Sequence, residues 1–323
     1  MKPALIVFLL LLLTALISGV GVGIANGTSV GTRNLATSAQ EVHVDQLRQT
    51  MENASENLTT YALSRSTDAK LLYTNDSLKK DFTGINTEVG KVDLLNQSAW
   101  WDTKIVDKDN GDVLTWEGYF ANGSEYWNEH GGWTKFIINN TTRVFNDYNE
   151  LPSQVNLIKF SNMKVVGLEN IQGEDFYKLA GSPIKPILKG MISQQVLAAF
   201  LPSPFPMPES IKNRSIDIDN TNLINSSSIV LTVWVSQNTS LLKRLDINSS
   251  LTITPSILNI SSPDFRIESS INQSTVYSNF DSPQMIELPI EAQNKSIRVK
   301  DEYWRWAPDA DWRWTVLGSS LIG

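Results

Sequence analysis

The sequence contains no cysteine, and histidine occurs only at His43 and His130. The lack of cysteine excludes disulfides, thiolate metal sites, a cysteine nucleophile and a lipidated N-terminal cysteine. Two histidines are too few for a histidine-rich metal site. There is also no nucleophile-elbow, Walker or metal-binding motif. The sequence therefore assigns no catalytic residue, metal ligand or cofactor.

Carboxylate pairs suited to glycoside hydrolysis do occur, as Glu169 with Glu174 and Asp309 with Asp311. They lie in predicted turns or in the C-terminal tail, where solvated carboxylates are usual. We therefore expect a binding or structural protein and not an enzyme.

Positive charge is also scarce. The 27 lysines and arginines are outnumbered by 34 aspartates and glutamates, giving a net charge of −7 and a pI of about 5.0. Without a basic stripe, binding to nucleic acid is disfavoured. Hydrophobic residues make up 41% of the 323 residues, enough for a sizeable core in one large or two small domains.

The N-terminus begins with an apolar run, Ala4–Ala25, after Lys2. Its Leu-rich part, Leu5–Ile17, has signal-peptide length, and Gly23-Ile24-Ala25 resembles a cleavage site. The whole run is also long enough to span a bilayer as an uncleaved membrane anchor. Both alternatives place the rest of the chain outside the cytoplasm, starting with a polar linker at 26–37.

The commonest motif is Asn-x-Ser/Thr, the acceptor pattern for N-glycosylation. Its abundance predicts an extracytoplasmic, cell-surface glycoprotein, because these sites need exposed segments on an exported chain. The alternative is a surface rich in Asn, Ser and Thr that carries no glycans. The fifteen asparagines are Asn26, Asn53, Asn57, Asn75, Asn96, Asn122, Asn139, Asn140, Asn213, Asn225, Asn238, Asn248, Asn259, Asn272 and Asn294.

The best-defined structural signal is a β-meander between Gly90 and Ile138. Asn110-Gly111, Asn122-Gly123 and Gly131-Gly132 separate runs rich in strand-forming residues. Such pairs supply the positive φ angles of hairpin turns, so they predict consecutive hairpins.

The rest of the chain predicts further strands and two amphipathic helices. One helix has an apolar face that includes Leu47 and Met51, and the other spans about Lys185–Phe200. Strand Tyr61–Tyr73 alternates only in part, because Arg65 and Thr67 interrupt its apolar positions. The remaining predicted elements are a turn or short helix at Asn146–Ser153 and strands at Val155–Ile171, Asp175–Ala180, Ile229–Val235, Leu241–Thr254 and Phe265–Phe280.

Together these elements predict an α+β fold. A curled antiparallel sheet, an open half-barrel, has helices packed on its concave face, with an apolar cleft where helix and sheet part. The Pro-rich segment Phe200–Pro208 is either a rigid linker or a lid over that cleft. The candidate cavity and lid residues are Leu63, Leu71, Trp100, Trp116, Ile187, Met191, Phe200, Phe205 and Met207.

The C-terminal tail, 301–323, is rich in tryptophan: Trp304, Trp306, Trp312 and Trp314. Trp-Arg-Trp occurs twice, and in a strand each pair would point its rings to one face. The tail is either a last strand packed on the domain or a docking surface for a protein, a glycan or membrane headgroups.

Several stretches, in order, resemble the LolA-like lipoprotein-carrier superfamily, in particular its secreted archaeal and actinobacterial members of the LppX/LprG kind. The resemblance covers about residues 40–295, within a domain expected at 38–300. It implies a curled sheet around helices, a role in holding a lipid or acyl chain, and no catalytic residues. The chain differs in lacking a lipidation cysteine and in its Trp-rich tail. The matching pieces are the opening helix into Tyr61, Gly90–Leu94, Phe120–Lys135, Val165–Gly173, Tyr177–Leu179, Val233–Val235, Leu241–Lys243, Tyr277–Phe280 and Ile286–Ala292.

Two functions remain open from the sequence. The first is an exported, membrane-anchored or secreted glycoprotein that binds or carries a lipid or acyl ligand in an apolar cavity. The second is a structural or adhesive cell-surface glycoprotein, such as an envelope or filament subunit, with no ligand.

Overall fold

A computed structural model describes residues 44–75, 78–129, 131–138, 141–200, 220–257, 264–295 and 297–300. Its main feature is one sheet to which all twelve described strands belong. The strands are β1 (Thr60–Asn75), β2 (Lys79–Asp93), β3 (Ser98–Asp107), β4 (Val113–Ala121), β5 (Ser124–Glu129), β6 (Gly132–Ile137), β7 (Ser161–Ile171), β8 (Glu174–Pro183), β9 (Ser227–Ser236), β10 (Leu242–Ile253), β11 (Phe265–Ser278) and β12 (Ile297–Lys300).

Six helices are described alongside this sheet. They are α1 (Val44–Glu56), α2 (Thr141–Tyr148), α3 (Glu150–Lys159), α4 (Lys185–Phe200), α5 (Asn220–Asn225) and α6 (Ile290–Lys295). Among the described residues, no helix is long and apolar enough to cross a membrane.

The strand order is β12-β6-β5-β4-β3-β2-β1-β11-β10-β9-β8-β7. Every pair is antiparallel except β12, which runs parallel to β6. The order joins two meanders, β1–β6 and β7–β11, through the pairing of β1 with β11. In the described part of the chain the sheet is not closed, with β7 and β12 at its edges, and the expected curled antiparallel fold is confirmed.

The predicted hairpin turns are present. Asn122 and Gly123 link β4 to β5 with φ angles of 52° and 66°, the positive values of a primed turn. Gly111 and Gly131 also have positive φ, between β3 and β4 and between β5 and β6. The local turn chemistry therefore sets the register of this half of the sheet.

One face of the sheet, here called the inner face, carries the main core and helices α1–α5. Along β1 the residues from Tyr61 to Tyr73 alternate between buried and more exposed. Helix α1 packs against α3 and buries Leu47 and Met51, as its apolar spacing predicts. Helix α2 contacts β3, and α4 contacts β8 and α5.

The opposite, outer face carries a smaller cluster over the β-meander. Tyr119 and Tyr126 are its buried rings, and the half-buried Trp100 and Trp133 pack against them. Ile286, Leu288 and Ala292 cover this cluster from the segment that ends in α6. One helix therefore lies on the outer face, in addition to those expected on the inner face.

One strand prediction is wrong. Residues Val155–Lys159 continue helix α3, and β7 begins only at Ser161. Leu151, Val155 and Ile158 recur at helical spacing, and all three are buried against the sheet. The β-branched residues Val155 and Ile158 favour a strand locally. The segment is nevertheless helical, because in a helix Leu151, Val155 and Ile158 lie on one face that is buried.

Gly118 is a packing constraint on the inner face. Trp101 stacks on Tyr148 of α2, with ring centroids 4.3 Å apart, and its ring lies where a Cβ of residue 118 would stand. We predict that Gly118→Ala lowers the free energy of unfolding by about 1–3 kcal/mol, because the ring must leave its stacked position. Urea denaturation would measure this. Gly167→Ala in β7 is the control, because a Cβ there meets no atom within 4 Å; equal losses for both variants would contradict the prediction.

Candidate functional site

The inner face is not covered evenly. On the half formed by β8–β11, the apolar side chains are almost completely buried. These residues are Leu179, Ile229, Leu231, Val233, Leu245, Ile247, Leu251, Ile253, Ile267 and Ile271, none more than 3% exposed. This half is a closed apolar core.

On the other half, several apolar inner-face side chains are only half-buried. They are Phe82, Leu114, Trp116, Trp127 and Phe136, and together they are called the apolar strip. Trp127 and Phe136 meet edge to face, with ring centroids 6.5 Å apart. The side chains of the apolar strip therefore keep part of their surface exposed, although Phe82, Trp116 and Trp127 also pack against the main core.

Helix α2 covers only one end of β4 on the inner face. Phe145 and Tyr148 contact Phe120 near one end of β4, with ring centroids 5.6 and 5.9 Å from Phe120. Leu114 and Trp116 lie toward the other end of the same strand, beyond these rings. The inner face therefore changes along β4 from buried to half-buried.

Polar side chains lie beside the apolar strip, in the centre of the inner face. Strand register places most of them in two neighbouring rows across the sheet. Helix α3, which packs over these rows, contributes two further polar residues. The first row is Thr103, Glu88, Arg65 and Thr275, the second is Asn86, Thr67 and Gln273, and α3 adds Glu150 and Gln154. These nine residues are called the polar cluster.

Arg65 is the centre of the polar cluster and is 1% exposed. Its Nη1 donates to Glu88 Oε1 at 2.7 Å, and its Nη2 donates to Glu150 Oε2. Its Nε donates to Thr275 Oγ1 at 3.3 Å. One guanidinium therefore holds two carboxylates, one from β2 and one from α3, as its planar fork allows.

Two tyrosines attach α3 to the sheet beside this ion group. Tyr277 donates its hydroxyl proton to Glu150 Oε1 at 3.1 Å, and Tyr61 donates to Asn149 Oδ1 at 3.1 Å. Burial, and then the nearby Glu150 carboxylate, raise the pKa of both tyrosines above the ordinary value. Both hydroxyls therefore stay protonated and act as donors.

Sharing one cation between two carboxylates has an electrostatic consequence. Burial raises the pKa of Glu88 above its ordinary 4.5, and repulsion from Glu150 adds to this. Arg65 and the neighbouring Thr103 hydroxyl act in the opposite direction. For Arg65, burial lowers the pKa, but Glu150 and then Glu88 raise it overall, so the guanidinium stays charged.

Several atoms of the polar cluster have no hydrogen-bond partner in the part of the chain that the structure describes. They are Thr67 Oγ1, Asn86 Oδ1, Thr103 Oγ1, Gln154 Oε1 and Gln273 Oε1. Each of these five residues is at most 2% exposed. Buried polar atoms are rarely left unpaired, because each costs about 1–3 kcal/mol. The cluster can therefore form hydrogen bonds that the described residues do not supply.

The structure separates the predicted cavity residues. Leu63, Leu71, Ile187 and Met191 are buried in the main core, and Trp116 lies in the apolar strip. Trp100 lies on the outer face, where its Nε1 donates to Glu117 Oε1 at 2.9 Å. Trp101 is the member of this pair that faces inward, so Trp100 cannot line a space on the inner face.

Other predicted sites lie outside the described residues. These are Phe205, Met207, the four tail tryptophans Trp304, Trp306, Trp312 and Trp314, the asparagines Asn26, Asn139, Asn140, Asn213 and Asn259, and the N-terminal segment 1–43; for Phe200 only the backbone is described. Within the described ranges, no group of three or more His, Asp or Glu side chains is placed to hold a metal ion.

Sequence reasoning missed the polar cluster. Arg65 and Thr67 share the parity of the buried residues of β1, yet their polarity made them look like interruptions of the apolar pattern. That parity was the available signal, because a polar residue at an inward position of a strand must have buried partners. Glu150 lies in the segment predicted as a turn or short helix, Asn146–Ser153, and Gln154 follows it directly; no sequence pattern indicates that this segment packs against β1.

The described sequon asparagines lie at the surface. Those that are exposed are Asn53, Asn57, Asn96, Asn122, Asn225, Asn238, Asn248, Asn272 and Asn294. Asn75 is half-buried, and its Nδ2 donates to the Tyr73 hydroxyl at 3.0 Å. Asn248 and Asn272 face each other across β10 and β11 on the outer face.

The raised pKa of Glu88 gives a pH prediction. A raised folded-state pKa favours folding below about 4.5, and this contribution is lost as the pH rises through the folded-state value. We therefore expect the free energy of unfolding of Glu88→Gln, relative to the wild type, to increase as the pH is raised from about 4.5 to about 7. Chemical denaturation across this range would measure the difference. Glu268→Gln, at an outer-face ion pair with Arg266, is the surface reference; a difference for Glu88→Gln that falls with pH would contradict the prediction.

Comparison with solved structures finds similarities at low sequence identity. LprF from Mycobacterium bovis is 13% identical, over 76% of this chain and 96% of LprF, with a TM-score of 0.40. Lipoprotein LppX from Mycobacterium tuberculosis is 13% identical over 76% and 98%, with a TM-score of 0.36. A LolA superfamily protein from Nitrosomonas europaea is 10% identical over 77% and 96%, with a TM-score of 0.20. Neither a family model nor a curated protein matches the chain. The matched structures include proteins of the kind that the sequence resembles, while the fold itself is read from the strand order and register of this chain.

Proposed function

We propose that this protein is an exported glycoprotein that binds a lipid or acyl ligand on the inner face of its sheet. The observation that carries the proposal is the apolar strip. The five side chains of the apolar strip, on β2 and β4–β6, are half-buried, whereas the apolar inner-face side chains on β8–β11 are closed into the core. Incompletely covered apolar surface beside a core is where a hydrocarbon chain can bury its own surface.

The energetics of such a site are sufficient for reversible binding. Burial of about ten methylenes at about 0.8 kcal/mol each would contribute roughly 8 kcal/mol. The loss of translational and conformational freedom opposes this by several kcal/mol. The result suits a protein that takes up and releases its ligand without chemistry, so the proposal includes no catalytic step.

Export and glycosylation are part of the same proposal. The apolar run Ala4–Ala25 would direct the chain out of the cytoplasm and, if it is retained, anchor it in the membrane. Nine of the ten described sequon asparagines are exposed, which leaves them accessible to a glycosyltransferase. Native mass spectrometry with lipid extraction of the exported protein tests the ligand. Recovery of protein without lipid, together with failure to bind added acyl chains, would favour the structural or adhesive glycoprotein instead.

The apolar strip can be tested with two neighbouring residues of β4. Leu114 belongs to the strip, whereas Val113 points to the outer face and is 53% exposed. We predict that Leu114→Lys lowers the affinity for a fluorescent acyl probe by at least about tenfold, because a charge must then be desolvated by the bound chain. Fluorescence titration measures the affinity, and circular dichroism checks the fold.

Val113→Lys is the matched control, because it adds the same charge to the same strand on the other face. It is expected to bind the probe as the wild type does. Equal affinities for both variants, or equal losses, would show that the chain does not bind on the apolar strip.

Glycan positions give a separate prediction. Asn238 is exposed in the turn between β9 and β10, whereas the Asn75 amide is half-buried and hydrogen-bonded to Tyr73. We expect a glycan on Asn238 and none on Asn75, because transfer requires a free amide nitrogen on an accessible segment. Glycopeptide mass spectrometry of protein from its native source measures the occupancy at both positions. A modified Asn75 with an unmodified Asn238 would contradict the prediction.

A further inference from the structure

We propose that the polar cluster binds the uncharged, hydroxyl-bearing head of an amphiphile whose hydrocarbon chain lies on the apolar strip. This inference rests on the proposed function and names the class of ligand: neutral acyl or alkyl compounds with several hydroxyl groups, such as acylglycerols or alkyl glycosides.

The two surfaces are adjacent, so one molecule can contact both. Trp116 of the apolar strip is the register partner of Thr103, and Thr103 is the register partner of Glu88. The Glu88 side chain keeps 19% of its surface exposed, although it lies in the middle of the inner face. On the opposite side, Gln273 adjoins the fully buried Ile247. The second row is closed on this side by Ile105, the register partner of Asn86, which is 1% exposed, so Glu88 is the point at which the polar cluster opens toward the apolar strip.

The unpartnered atoms indicate what kind of group would bind. Asn86, Gln154 and Gln273 each leave an amide oxygen unpaired, and Thr67 leaves a hydroxyl unpaired. Asn86 and Gln273 flank Thr67 on its two neighbouring strands, so these three groups form a continuous row. Gln273 Nε2 already donates to Thr275 Oγ1 at 3.4 Å, so the Gln273 oxygen is the free acceptor. A ligand hydroxyl can donate to these amide oxygens, and it can also accept from the Thr67 hydroxyl.

The charges of the cluster disfavour an anionic head. Arg65 is the only cation in the two rows, and Glu88 and Glu150 already occupy its guanidinium. A carboxylate or phosphate placed here would meet two carboxylates and no free cation. A neutral head with hydroxyl groups pairs the unpartnered atoms without this repulsion.

The test uses three ligands with the same chain: 1-lauroylglycerol, methyl laurate and laurate. Their affinities for the full exported chain are measured by displacement of a fluorescent acyl probe. We expect 1-lauroylglycerol to bind at least about tenfold more tightly than methyl laurate, since two or more new hydrogen bonds form. Laurate is expected to bind more weakly than 1-lauroylglycerol.

Substitutions that keep the side-chain volume test whether the preference for 1-lauroylglycerol over methyl laurate depends on the polar cluster. Asn86→Leu and Gln273→Met each remove an amide oxygen that has no partner. Asn86→Leu is therefore expected to stabilise the protein without ligand or leave its stability unchanged. Gln273→Met is expected to change the stability little, because it also removes the long hydrogen bond from Gln273 Nε2 to Thr275 Oγ1, at 3.4 Å. Both variants should lose the preference for 1-lauroylglycerol over methyl laurate. Asn128→Leu is the control, because Asn128 also has an unpaired buried oxygen but belongs to β5 and points to the outer face. It should keep the preference.

The outcomes separate this inference from the proposed function. Binding of all three ligands with equal affinity, or a preference that survives Asn86→Leu and Gln273→Met, would overturn the inference and leave the acyl site in place. Tighter binding of laurate would also overturn it. Failure of all three ligands to bind would overturn the proposed function itself.

Discussion

The structure depends on one guanidinium that is shared by two carboxylates. Arg65 lies at the centre of the inner face and joins β1 to Glu88 of β2 and to Glu150 of α3. A buried charge is tolerated only when its partners are fixed, and here Tyr277 and Thr275 from β11 complete the arrangement. Arg65 therefore joins three strands and one helix, and their relative positions are restricted by its hydrogen bonds. The polar groups beside it extend this constraint into a surface that differs from the surrounding apolar core.

The inner face thus combines three environments in one sheet. The β8–β11 half is a closed apolar core, the apolar strip on β2 and β4–β6 is half-buried, and the polar cluster lies between them. Asn86 and Gln273 each leave a buried amide oxygen unpaired, which opposes folding, and at Gln273 the hydrogen bond that Nε2 donates to Thr275 offsets this only in part. Their presence in the middle of the sheet suits a surface that completes its hydrogen bonds with another molecule. The groups that lower the stability of the fold are therefore the ones that the proposed amphiphile would bind.

Much of the fold could be predicted from the sequence, because local chemistry determines it. The Asn-Gly and Gly-Gly pairs gave the hairpins of β3–β6, and alternation gave β9–β11 close to their observed bounds. The failures have physical causes. Val155 and Ile158 favour a strand locally, and only their burial against the sheet shows that they belong to a helix. Trp100 was predicted to face the cavity instead of Trp101, because adjacent residues of a strand point to opposite faces and the sequence does not show which face is inward. The polar cluster is assembled by the pairing of β1 with β11, about two hundred residues apart in the chain, so no local pattern reveals it.

The pairing of β1 with β11 also has a consequence for how the protein folds. Leu63 pairs with Tyr277, so the two central strands cannot join until nearly the whole described chain has been synthesised. The meander from β2 to β6 is local and can form early, but until β11 arrives, β1 exposes one unpaired edge and Arg65 lacks its Thr275 partner. Contacts between distant residues slow folding because the intervening loop must close first. The last long strand of the described chain to be made therefore completes the middle of the sheet, beside the polar cluster.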